Sequence, residues 1–177
     1  MRRLTVLLAL AFTLALVPAI PAQAKKPLTG TADVEFNLLW PGPQLEIPDW
    51  VGTITIDGTE YGIAFFWIAT GKAFEVGRGM ASFFQEVWRI YDWMTFDFET
   101  QELDYGQILL WGYDTGVVSL QNSKYRMNGN VEEAIGDFAV WQGRNVHISG
   151  IIEWQEIETP EGPVIAPHYA PGTFRIN

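Results

Sequence analysis

Glu86 stands in the alternation Phe84, Glu86, Trp88, Ile90, so a carboxylic acid shares the apolar side of a strand with two large aromatics. A carboxyl held there loses hydration, which favours its neutral form and raises its pKa into the range useful for general acid–base work. The same arrangement suits ligand recognition, in which one polar group orients a molecule held by apolar walls. Phe84, Trp88 and Trp154 are the expected walls and Glu86 the expected polar contact. A plainer alternative puts Glu86 at a sheet rim, or in a pair with a cation such as Arg126.

His147 is the second candidate. On its strand the even positions Ile148, Gly150, Ile152 and Trp154 are apolar, whereas His147, Ser149, Glu153 and Gln155 are odd. With the even face inside, His147 points outward; a bulge near Gly150 would instead bring it inward as a base near Glu86. His168 sits in the proline-rich run PEGPVIAPHYAPG and reads as a loop residue. There is no Gly-x-Ser-x-Gly, no phosphate-cradling glycine loop and no His pair at metal spacing. No catalytic residue is therefore assigned beyond Glu86 and His147 as candidates, and neither a metal nor a cofactor is expected. The acidic run YDWMTFDFETQELDYG, with Asp92, Asp97, Glu99, Glu102 and Asp104, lacks the alternating ligands and central glycine of an EF-hand loop and reads as solvated. Trp40, Trp50, Trp93 and Trp111 lie beside turns, either filling a core or forming a stacking platform for sugars.

The elements that must position these groups are strands. TITIDGTEYGIAFFWIA alternates on both sides of Asp57-Gly58, the pair that a type I′ hairpin turn requires. The same logic predicts hairpins about Asn128-Gly129 and, more loosely, about Asp114-Thr115-Gly116. Further strands are expected over 30–38, 81–91, 94–98, 146–156 and 173–176. No window carries a sustained helical period. About eight short strands joined by tight turns predict an all-β chain, a single antiparallel up-and-down barrel, with a two-layer sandwich as the alternative.

The segment Ala134-Ile135-Gly136-Asp137-Phe138, then Trp141-Gln142-Gly143 and the strand over 146–152, resembles the closing region of allene oxide cyclase-like and dirigent-like barrels. The similarity covers about residues 124–154. It implies an eight-stranded barrel with a lumen, often assembled as a dimer or trimer. The families' cyclisation and radical-coupling activities do not carry over, because no residue here matches their catalytic groups.

The chain begins MRRLTVLLALAFTLALVPAIPAQA: two arginines, an apolar run, Pro18 and an Ala-Gln-Ala end, the layout of a cleavable export signal. Residues 1–24 are expected to be the signal, and 25–177 one domain in an extracytoplasmic setting, periplasmic or extracellular. The alternative is a retained anchor. With no cysteine, the fold must hold without disulfides. The formal charge is −10, and more negative without Arg2 and Arg3. That balance disfavours phosphate backbones and anionic lipid, so neither nucleic acid nor a membrane surface is an expected partner.

Tyr61, Ile63, Phe65 and Trp67 alternate with Gly62, Ala64, Phe66 and Ile68, so the strand over 61–68 is apolar on both faces. One face can fill a barrel. The other needs a cover, either another part of the chain or a second copy in a homo-oligomer. The leading functional expectation is a non-enzymatic module that binds a small apolar or aromatic ligand in the lumen. Alternatives are an isomerase or cyclase using Glu86, and a cell-surface structural, adhesion or sugar-binding protein.

Overall fold

The computed structural model describes residues 26–39, 45–70, 74–76 and 79–177. The expected export signal and Trp40 lie outside these residues. Thirteen strands run in chain order: β1 Leu28–Phe36, β2 Trp50–Ile56, β3 Thr59–Thr70, β4 Phe74–Val76, β5 Gly79–Tyr91, β6 Met94–Asp97, β7 Glu102–Tyr105, β8 Ile108–Ser119, β9 Lys124–Ala134, β10 Asn145–Ile151, β11 Glu153–Thr159, β12 Gly162–Tyr169 and β13 Gly172–Ile176, with a 3-10 helix at Gly136–Trp141 between β9 and β10. Following neighbours from β1 through β2, β3, β5, β8, β9, β10 and β13 leads back to β1, which pairs antiparallel with both β2 and β13. The result is a closed up-and-down barrel of eight strands, not an open two-layer sandwich.

Side-chain parity follows the pleat. Ile54, Ile56, Ile63, Phe65, Trp88, Ile90, Leu110, Val131, Ile148, Phe174 and Ile176 pack into one internal cluster. The even face of β5 and the even face of β10 are both interior, as their apolar alternation predicts. One end of the barrel is filled by these residues and closed by Trp141 and Phe138 of the 3-10 helix, where Phe138 meets Tyr61 edge-on at 5.7 Å. This plug comes from the stretch that carries the resemblance to barrel closures.

Three elements stand outside the barrel path. β4 lengthens the edge beside β5, and β11 and β12 form a hairpin attached to β1 through β12. The third is the β6–β7 hairpin, built from the acidic run. It lays Met94, Phe96 and Leu103 over Val51, Ala64, Phe66, Val87 and Tyr91 on the barrel exterior. This flap covers part of the second face of β3: it buries Ala64 and Phe66, while Ile68 stays exposed. Burial beneath it pushes the Tyr91 phenol up to about 12, against a smaller opposite pull from Arg89.

Several expectations need correction. Asp57-Gly58 does form the tight turn, with both residues at positive φ and Ile56 opposite Thr59. Asn128-Gly129 and Asp114-Thr115-Gly116 do not turn: each lies inside a long continuous strand, β9 and β8. The strand expected over 146–156 is two, because the chain leaves the barrel at Ile152 and continues in the outer hairpin. His168 is on β12 rather than in a loop, and its side chain is exposed.

Candidate functional site

The described residues do not fill the barrel end opposite the helical plug. A cavity of about 320 Å³ occupies it, walled by six of the barrel strands, β1, β2, β3, β5, β8 and β9, and by residues of the outer hairpin and the neighbouring connections. The aromatics Phe36, Trp50, Phe65, Trp67 and Phe84 line it, together with Val34, Val118, Met127 and Ala170. Phe36 and Trp50 meet edge-on at 5.1 Å. At the rim, Leu120 and Trp154 are exposed to solvent.

Two carboxyls enter this apolar wall, Glu86 from the middle of β5 and Asp49 from the residue before β2. Both are buried, at 5% and 0% exposure. A third acid, Asp114, stands opposite Glu86 in the β5–β8 register and is 3% exposed, on the lumen face but outside the cavity lining. Loss of hydration raises all three above the ordinary carboxyl range, Asp49 to about 8. Mutual repulsion adds to the rise at Glu86, from both aspartates, and at Asp114, from Asp49. No cation contributes to any of the three among the described residues. Asp49 and Glu86 lie close enough to share a proton, although neither Asp49 oxygen completes a well-aligned hydrogen bond. Both oxygens of Asp114 are likewise without a partner. At neutral pH this cluster must be largely protonated, since adjacent buried carboxylates cannot all ionise.

Asp49 is held by backbone clips. Its amide donates to the Phe65 carbonyl (3.0 Å), and its own carbonyl accepts from the Asn37 amide (2.8 Å). The fully buried Asn37 side chain donates to the Pro48 carbonyl (3.0 Å) and to Gln101 Oε1 (2.6 Å), while Gln101 Nε2 donates back to Asn37 Oδ1 (3.1 Å). One side chain thus ties the Asp49 segment to the flap. Asn37→Ala is expected to cost roughly 1–3 kcal/mol, because it strands buried partners, and to speed amide exchange across 94–105. Unchanged exchange there would show that Asn37 does not hold the flap.

Of the residues expected from sequence, Phe84 and Glu86 line the cavity. Trp88 shares their face but lies in the filled half, fully buried and edge-on to Phe174 at 5.3 Å, so it does not wall the cavity. Trp154 does reach the cavity, though not by the expected parity: it belongs to the outer hairpin, is 38% exposed and donates through Nε1 to Ser123 Oγ (2.9 Å) at the rim. Arg126 is on the exterior and does not approach Glu86. His147 also faces outward, its Nδ1 2.8 Å from Asn128 Oδ1. Trp50 is a cavity wall, whereas Trp111 lies against the exterior flap cluster and donates to Glu133 (3.1 Å), so these two do not share a platform. Among the described residues no three acids or histidines are disposed to hold a metal ion.

Asp49 and Asp114 escaped sequence reasoning. For Asp114 the signal was available: Leu110, Gly112, Asp114, Gly116 and Val118 form one small or apolar face once β8 is read as unbroken. Asp49 follows a proline outside any periodic run, so nothing local marks it. No protein-family model, curated protein or solved structure matches this chain.

Proposed function

We propose that the protein is an exported binding module that holds a small apolar or aromatic molecule in the open half of its barrel. The observation that carries this reading is the cavity itself: an aromatic-walled space of about 320 Å³ at the end of an otherwise filled barrel. That volume is at the small end of ligand sites, roughly 300–1,000 Å³. A sequence that needed only a stable barrel could fill the space with side chains, as it does at the other end. The resemblance to allene oxide cyclase-like and dirigent-like barrels points the same way, and we include a distant kinship with them in this reading. Extracytoplasmic placement rests on the export-signal layout of the first residues.

Native mass spectrometry of the protein from its own host, followed by denaturation, tests the reading. A small molecule released on unfolding is the expected result. Val118→Trp, which pushes an indole into the cavity, is expected to lose the adduct while costing roughly 1–3 kcal/mol of stability. An adduct retained by Val118→Trp would place binding elsewhere. An empty wild type that also takes up no aromatic probe would remove the proposal.

A second reading is favoured by the proximity of Asp49 and Glu86. Two protonatable carboxyls in an apolar-walled cavity could move a proton between neighbouring atoms of a bound substrate, as in an isomerase or cyclase. Glu86→Gln separates the two: it would abolish turnover in an enzyme and shift only affinity in a binding module.

A further inference from the structure

We propose that the ligand of the lumen is an organic cation, an amine on an apolar or aromatic body, and that its ammonium group sits against Asp49 and Glu86. This rests on the binding role proposed above and names the chemistry of the ligand. Two independent features carry it. Asp49 is completely buried, lines the cavity, and has carboxyl oxygens without a well-aligned hydrogen-bond partner. The surrounding wall is aromatic, with Phe36, Trp50, Phe65 and Trp67 on the strands nearest to it, and ring faces attract a desolvated cation. A ligand with no donor would leave those oxygens unsatisfied, and an anion would meet two acids and no cation among the described residues.

The groups facing the pair from neighbouring strands add no positive charge. β8 contributes Asp114 and β9 contributes Tyr125, whose phenol burial pushes well above its ordinary value. β1 and β3 present Val34, Phe36, Phe65 and Trp67, none of which titrates in the accessible range. An entering ammonium therefore brings a positive charge that no described residue places at the pair. It ionises one carboxyl of the pair, and the displaced proton leaves to solvent. The process is a proton-for-cation exchange without covalent change.

The test is titration calorimetry of the wild-type protein at about pH 7 with three probes of one shape: naphthylethylamine, naphthylethanol and naphthylacetate. Each is measured in two buffers of different ionisation enthalpy, so that proton release is counted. The amine is expected to bind at least about tenfold more tightly than the alcohol, a gap of about 1.4 kcal/mol, and to release up to about one proton per molecule bound. Asp49→Asn and Glu86→Gln, each checked for a folded far-ultraviolet spectrum, are expected to bring the amine down to the alcohol. Equal binding of amine and alcohol without proton release would overturn the cation and leave the binding role standing. Preference for the acetate would overturn it too. Failure of all three probes would remove the lumen as a binding site, and the cation with it.

Discussion

The melting temperature of this protein is expected to be highest in mildly acidic solution and to fall by roughly 10 °C as the pH rises to about 8. The cause is the carboxyl cluster in the lumen. Burial raises Asp49 from its ordinary 3.8 to about 8, and raises Glu86 and Asp114 in the same direction. Between those values the folded chain binds more protons than the unfolded one. The stability this provides is fully present below the unfolded pKa and is lost as pH climbs through the folded one. Every tenfold difference in proton affinity between the two states is worth about 1.4 kcal/mol, so Asp49 alone accounts for a change of several kcal/mol, and the three acids titrate as a coupled set. General self-repulsion in a chain of charge −10 acts in the same direction, but it resides on the surface and is screened by salt.

Asp114→Asn distinguishes the buried cluster from that background. The substitution keeps the shape and removes one buried ionisation outside the cavity lining. The variant is expected to match the wild type near pH 5 and to melt several degrees higher at pH 8, at both low and high salt. A wild-type melting curve that is flat or rising across this interval would show that the acids ionise freely when folded. Equal destabilisation of the variant at both pH values would show that Asp114 has a structural partner instead.

Gly129→Val is expected to prevent the barrel from forming, with soluble protein lost or the stability lowered by roughly 3–5 kcal/mol or more. Gly129 lies in mid-β9 opposite Asp114, on the lumen side. A Cβ there would overlap the Tyr113 carbonyl oxygen and press on the backbone and Cβ of Asp114 at 2.8 Å. The obstacles are backbone atoms of β8, which cannot move aside without breaking the pairing of the two strands. Thr115→Val, exposed on the outer side of the same pair, is expected to stay within about 0.5 kcal/mol of wild type. A well-folded Gly129→Val protein would mean that β9 is displaced from β8 and that Asn128-Gly129 turns after all.

Gly129 also shows where reading the chain locally goes astray. Asn-Gly is favoured in a hairpin turn because both residues tolerate positive φ, yet here Gly129 serves close approach of two strands and does not have positive φ. In Asp114-Thr115-Gly116 the glycine instead leaves room for the Phe84 ring, and with that loop removed Asp114 moves onto the lumen face. The proline-rich run over 160–172 contains a strand because β12 pairs at the sheet's end, where missing amide donors matter less. The exterior of β3 needs a cover, and the acidic run folds back as a flap over Ala64 and Phe66, while Ile68 stays exposed.

What the sequence by itself determined are properties carried within a few residues. Alternation on β5 put Phe84, Glu86, Trp88 and Ile90 inside, alternation on β10 put His147 outside, and Asp57-Gly58 set one turn. Only the tertiary structure decided that Glu86 meets Asp49 and Asp114, that Trp88 lies in the filled half, and that Trp154 reaches the rim from an outer hairpin. The reason is physical. Alternation and turn preference report the cost of conformations over neighbouring residues. Barrel closure is instead set by pairings between distant strands, which bring together an acid before β2, another on β5 and a third on β8, where shared burial and mutual repulsion alter their chemistry.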